Sequence, residues 1–203
     1  MVSAGPGTRA SQRSTAANTG VWIAVAAISM SFAAYTSAMV VRQGTGSDWL
    51  HFRLPPILYV NTLLIIVSSL TIERGRRNHV RGPGAADGDV IALPGPVART
   101  TTWIDATFVL GLLFLAGQVM AWRQLAGEGL FLATNPSSAF FYILTALHGL
   151  HLLGGLAGLL YVRRRVRHRP VLAAGAALGA ATRYWHFIAV LWLYLLLLLV
   201  VRL

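Results

Sequence analysis

The sequence contains no cysteine and no lysine, and charged residues of all kinds make up only 11% of its 203 positions. Without cysteine there can be no disulfide, no thiolate metal site and no thiol chemistry. The scarcity of charge, beside a hydrophobic content of 56%, excludes an ordinary soluble domain. No glycine-rich phosphate loop, HExxH or GxSxG pattern occurs, and no internal repeat is visible. Acids are also few: six Asp and Glu stand against 17 arginines, giving a net charge of +11. Such a balance could suggest nucleic acid. The arginines instead cluster beside long apolar blocks, where they act as topology signals, so no nucleic-acid partner is expected.

What the sequence does have is apolar runs of bilayer length, since a spanning helix needs roughly 20 apolar residues. Five spans are expected, at about 20–41, 55–71, 103–121, 139–162 and 184–201. The fold class is therefore all-α, a polytopic transmembrane helix bundle covering 20–203. Residues 1–19, rich in Ser, Thr, Ala and Gly, read as a flexible cytoplasmic tail. The stretch 172–182 (LAAGAALGAAT) reads as a connector or interfacial helix, and 73–102 as a solvated loop. With the N-terminus inside, thirteen arginines fall on the inner side and four on the outer. That asymmetry predicts an N-in, C-out topology.

Polar residues within these spans are costly in lipid and need a reason. They include Asn61, Asp105, Gln118, His148, His151 and His186, with Trp185 beside the last. His148 and His151 share a helix face, and Gly154 and Gly158 form a GxxxG spacing suited to close helix contact. Three histidines raise the question of metal or haem ligation. Depth argues against it: at 1.5 Å rise per residue, His151 lies about 16 Å from the inner end of its span and His186 about 3 Å. The histidines are thus expected to serve as hydrogen-bonding scaffold or as anchors for lipid head groups. Asp105 is the only acid inside an expected span; it either pairs with His186 or reaches the membrane interface.

The segments NPSSAFFYILTALHGLHLLGGLAGLLYV (135–162) and YWHFIAVLWLYL (184–195) resemble subunit III of the haem-copper terminal oxidases. That family carries an F-Y-x-L-T-x-x-H-G-x-H segment and a final Y-W-H-F helix. GVWIAVAAISMSFAAY (20–35), LPPILYVNTLLIIVSSLT (54–71) and LGLLFLAGQVMAW (110–122) are similar to the other three helices of its five-helix form, in order. Three acids usual in the family are replaced here, by Ile28, Ala121 and Ala189.

The resemblance implies a non-redox accessory subunit, without catalytic residues and without haem or copper of its own. Those cofactors would sit in partner subunits of a bacterial inner-membrane complex. Such a subunit would pack on catalytic subunit I near the mouth of a proton-uptake path. It would hold phospholipid in a cleft between its first two helices and the rest, and protect the oxidase during turnover. The complex would pass electrons from cytochrome c or quinol to oxygen and pump protons. Alternatives are an accessory subunit of a nitric oxide reductase, a membrane electron carrier with histidine-bound haem, and a small transporter.

Overall fold

The computed structural model describes residues 6–80, 95–168 and 171–203. The described chain is five helices: α1 (Pro6–Thr45), α2 (Ile57–Val80), α3 (Gly95–Gly127), α4 (Pro136–His168) and α5 (Val171–Arg202). Each contains a stretch long and apolar enough to cross a bilayer. The molecule is a five-span, all-α membrane bundle.

The helices outrun the apolar blocks that define the spans. Helix α1 begins at Pro6, so residues 6–19 are helical and not an irregular tail; residues 1–5 lie outside the described part. Helix α2 continues past Thr71 to Val80, and α3 starts at Gly95. The expected loop 73–102 therefore contracts to 81–94, which lies outside the described residues. The connector 172–182 is not a separate element either, because α5 runs unbroken from Val171. Alanine and arginine are strong helix formers, and an apolar core is not needed for a helix to carry on beyond the membrane. Residues 169–170, between α4 and α5, also lie outside the described residues.

Between α3 and α4 the helix ends are set by local chemistry. Asn135 caps α4: its Oδ1 accepts the Ser138 backbone N–H at 2.8 Å and the Ser137 hydroxyl at 2.5 Å. Gly129 takes a left-handed φ of 80° just after α3, a conformation that suits glycine. The Leu130 N–H then reaches back to the Leu125 carbonyl at 3.0 Å.

Helices α2 and α3 form the most extensive antiparallel contact, with α5 against α2 and α4, and α4 against α3. Helix α1 packs on α4 and α5 and does not meet α2 or α3 among the described residues. Among the described residues the first two helices do not pair with each other: each packs on helices of the other three, α1 on α4 and α5, α2 on α3 and α5. The interior is filled by Trp185, Trp192, Phe32, Phe114 and Phe141, all buried. Large apolar side chains on every helix point outward, among them Met30, Leu63, Leu113, Leu150 and Val201. This is the pattern of a bundle solvated by lipid tails, where burial of apolar surface does not hold helices together.

Candidate functional site

With dispersion and hydrogen bonding as the forces between spans, each cross-helix polar contact has to be located. Helix α5 supplies most of them. The Trp185 indole N–H donates to Ser68 Oγ at 3.0 Å, and the Trp192 indole N–H donates to Thr62 Oγ1 at 3.0 Å. His186 Nδ1 and Ser69 Oγ share a short hydrogen bond. These three bonds clamp α5 to α2 along one face. Between α2 and α3, the Thr71 and Thr107 hydroxyls meet at 2.8 Å. Between α3 and α4, the Trp122 indole N–H donates to Thr145 Oγ1 at 3.0 Å.

The three histidines have three different surroundings. His148 is fully buried, its ring 5.6 Å from that of Phe114 and 5.2 Å from that of Trp192. His151 donates from Nδ1 to the Leu147 carbonyl of its own helix at 2.7 Å and lies 5.9 Å from the Phe32 ring of α1. The Tyr184 hydroxyl donates to the His151 backbone carbonyl at 3.0 Å, tying α5 to α4. His186 engages α2. The histidine side chains do not bond α4 to α5: His151 binds within its own helix, and His186 binds α2. The structure does not gather the three rings, and among the described residues no group of three His, Cys, Asp or Glu is placed to hold a metal ion.

Asp105 does not pair with His186. Its carboxylate meets Arg163 of α4, with Nε 2.5 Å from Oδ1 and Nη2 donating to Oδ2 at 3.2 Å. The acid nearest His186 is Glu73, whose Oε2 lies 3.7 Å from Nε2. Glu73 also takes two hydrogen bonds from Arg76, at 2.9 and 2.7 Å, and one from Arg77 at 2.9 Å. Ending the second span at Thr71 had left Glu73 in a loop. The spacing of Glu73, Arg76 and Arg77 at i, i+3 and i+4 is a helical ion-pair signature that marks the continuation.

The glycines also require a correction. A Cβ on Gly158 would meet nothing within 4 Å, and one on Gly154 only the Tyr184 hydroxyl at 3.8 Å. That glycine pair makes no close helix contact among the described residues. The tight approaches are elsewhere. A Cβ on Gly155 would lie 3.3 Å from Trp185 and Tyr184. One on Gly111 would lie 2.9 Å from Leu156 and Trp185, and one on Gly117 only 2.0 Å from Asn61 Oδ1. At Gly155 and Gly111 the bulk of α5's aromatic residues, not a GxxxG spacing, decides where small residues are needed, and at Gly117 the Asn61 carboxamide does.

Asn61 and Gln118 are buried, as is Trp185. So are Ile28, Ala121 and Ala189, which all belong to the apolar core. These three positions face the interior, where an acid would need a partner.

Residues 93–201 match the model of the family described as Cytochrome c oxidase subunit III. The chain is also similar to curated proteins. A Mycobacterium tuberculosis protein named "Probable cytochrome c oxidase subunit 3" is 30% identical over 172 residues, covering 81% of this chain and 75% of its own. The protein of that name from Mycobacterium leprae is 31% identical over 175 residues, with the same coverage. "Cytochrome c oxidase subunit 3" of Thermostichus vulcanus is 30% identical over 190 residues, covering 89% and 84%.

Proposed function

The chain belongs to the cytochrome c oxidase subunit III family and is an accessory subunit of a respiratory haem-copper oxidase; from that premise we propose that it contributes scaffold and not chemistry. The observation that carries this reading is the separation of the three histidines. Each ring is used in a different way: His186 to Ser69, His151 to its own helix, His148 among aromatic rings. The positions of Ile28, Ala121 and Ala189 carry no acid.

In this proposal the subunit crosses a bacterial inner membrane five times, N-terminus inside. It packs on catalytic subunit I, where the haem and copper reside. Phospholipid covers its outward leucine and valine faces. The arginines of α4's inner end, Arg163, Arg164, Arg165 and Arg167, lie at lipid head-group level under this topology. Its own contribution is assembly and the persistence of activity over many turnovers.

Purification in mild detergent tests the reading. A tagged chain should bring down haem-bearing subunits, while the chain isolated from them should show no Soret absorbance. A Soret band that stays with the isolated chain and is lost in His148→Ala or His151→Ala would overturn the scaffold role.

A further inference from the structure

Three sets of cross-helix contacts fix the relative heights of four helices. Between α2 and α3, Gly75 faces Trp103, Thr71 faces Thr107 and Asn61 faces Gly117. Between α2 and α5, Ser69 faces His186, Ser68 faces Trp185 and Thr62 faces Trp192. Between α3 and α4, Gly149 faces Leu115 and Thr145 faces Trp122. Gln118 falls midway between Leu115 and Trp122, and so at the height of His148. His148 in turn lies against Trp192. One transverse layer of the bundle therefore contains Asn61, Gln118, His148 and Trp192, each from a different helix. At 1.5 Å per residue this layer lies roughly 14–18 Å from the outer ends of α3, α4 and α5, near the middle of a bilayer.

Three members of this layer are polar and sealed from the surroundings: Asn61 is 0% exposed, Gln118 2% and His148 0%. Among the described residues, none of their side-chain nitrogen or oxygen atoms meets a hydrogen-bond partner. The other buried atoms of this kind are Asn135 Nδ2, beside the start of α4, and Arg163 Nε, within the Asp105 ion pair. The orphaned groups of the bundle's interior are thus confined to one level. A buried polar group without a partner costs free energy, and groups in lipid-spanning segments have no bulk solvent to turn to.

We propose that this layer binds a small internal cluster of water molecules, hydrogen-bonded to the carboxamides of Asn61 and Gln118 and to the ring nitrogens of His148. The chemistry of the set selects water. Each carboxamide offers two N–H donors and an acceptor oxygen, and neutral histidine offers one donor and one acceptor. The carboxamides carry no formal charge to offset a bare ion taken into lipid. Water supplies both roles in one small molecule and makes about three hydrogen bonds when buried. Phe114 and Trp192, packed edge to face with ring centroids 4.8 Å apart, form an apolar wall beside His148. The inference is independent of whether the histidines stabilise assembly, since it concerns what satisfies these atoms.

A map of the intact oxidase complex at water-resolving resolution tests it directly. Ordered density within hydrogen-bond distance of both the Gln118 carboxamide and the His148 ring is expected. Direct hydrogen bonds among Asn61, Gln118 and His148, with no density between them, would overturn it. A thermal series on the same complex gives a second readout. Gln118→Leu and His148→Phe should each lower the midpoint of subunit dissociation, because each strands the remaining polar group. The double variant should lose clearly less than the two losses combined. Strict additivity would overturn a shared water site, and if the variants do not assemble, the map of the unmodified complex decides.

Discussion

The Asn61 carboxamide lies directly over Gly117, so that a Cβ on Gly117 would stand 2.0 Å from Asn61 Oδ1. Both residues belong to the α2–α3 interface, and Asn61 is fully buried.

Gly117→Ala should therefore force α2 and α3 apart or push Asn61 out of its rotamer, a cost of about 1–3 kcal/mol for overpacking. Gly158→Ala provides the contrast, since nothing lies within 4 Å of its Cβ position in this chain. In a pull-down of the complex, the first variant should lower subunit yield and the second should leave it near wild type. If both weaken assembly equally, Gly158 faces a partner subunit and its open side is an interface.

The indole of Trp185 donates to Ser68 from a buried position, and that of Trp192 donates to Thr62. Trp185→Phe removes the donor while keeping most of the ring. Each such intramembrane hydrogen bond is worth about 0.6–2 kcal/mol, and Ser68 Oγ keeps its bond to the Ile65 carbonyl at 2.8 Å. Trp185→Phe should therefore be mild, and Trp185→Ala severe, because the ring fills the space left by Gly111 and Gly155. Complex half-life at raised temperature should rank wild type, Phe variant and Ala variant in that order. Equal loss in both variants would mean that the hydrogen bond, not the packing, dominates.

Five spans and the fold class were legible because twenty-residue apolar runs admit few structures in lipid. The pairing of polar residues was less so. Glu73 was missed because hydropathy fades before the helix does, whereas its bonds to Arg76 and Arg77 extend α2 by two further turns. The Gly154 and Gly158 spacing suggested a helix contact, yet a helix has several faces and the spacing does not say which face is covered. Trp185 and Tyr184 instead reach Gly155, one position along and on another side of α4. Helix–helix register, which assembles Asn61, Gln118 and His148 into one layer, depends on contacts between distant segments that no local pattern records.

The absence of cysteine makes the topology directly measurable. Glu128, in the turn after α3, and Arg164, at the opposite end of α4, are both exposed. With the N-terminus inside, single Glu128→Cys in intact cells should react with a membrane-impermeant maleimide. Arg164→Cys should react only after permeabilisation. The reverse pattern would overturn the orientation drawn from the arginines.

His186 offers the sharpest separation of scaffold from chemistry. Its ring has two polar neighbours: Nδ1 meets Ser69, and Nε2 lies 3.7 Å from Glu73 Oε2, within ion-pair reach when the ring is protonated. Its side chain is 40% exposed. If the residue serves only to join α5 to α2, its loss should behave as the loss of one helix-joining bond. His186→Asn, which keeps a donor and an acceptor near the Nδ1 position, should retain most of the complex. His186→Leu should lose the Ser69 link and reduce the amount of subunit retained after detergent washing. In complexes that do assemble, both variants should keep the haem content and the initial oxidase rate of wild type, because under the proposed scaffold role the haem and copper reside in the partner subunit. The decline of activity over many turnovers should be faster in His186→Leu than in His186→Asn. An assembled His186→Leu complex with an initial rate cut several-fold would place this histidine on the path of the protons consumed at the partner's active site, and the scaffold reading of the subunit would fall with it.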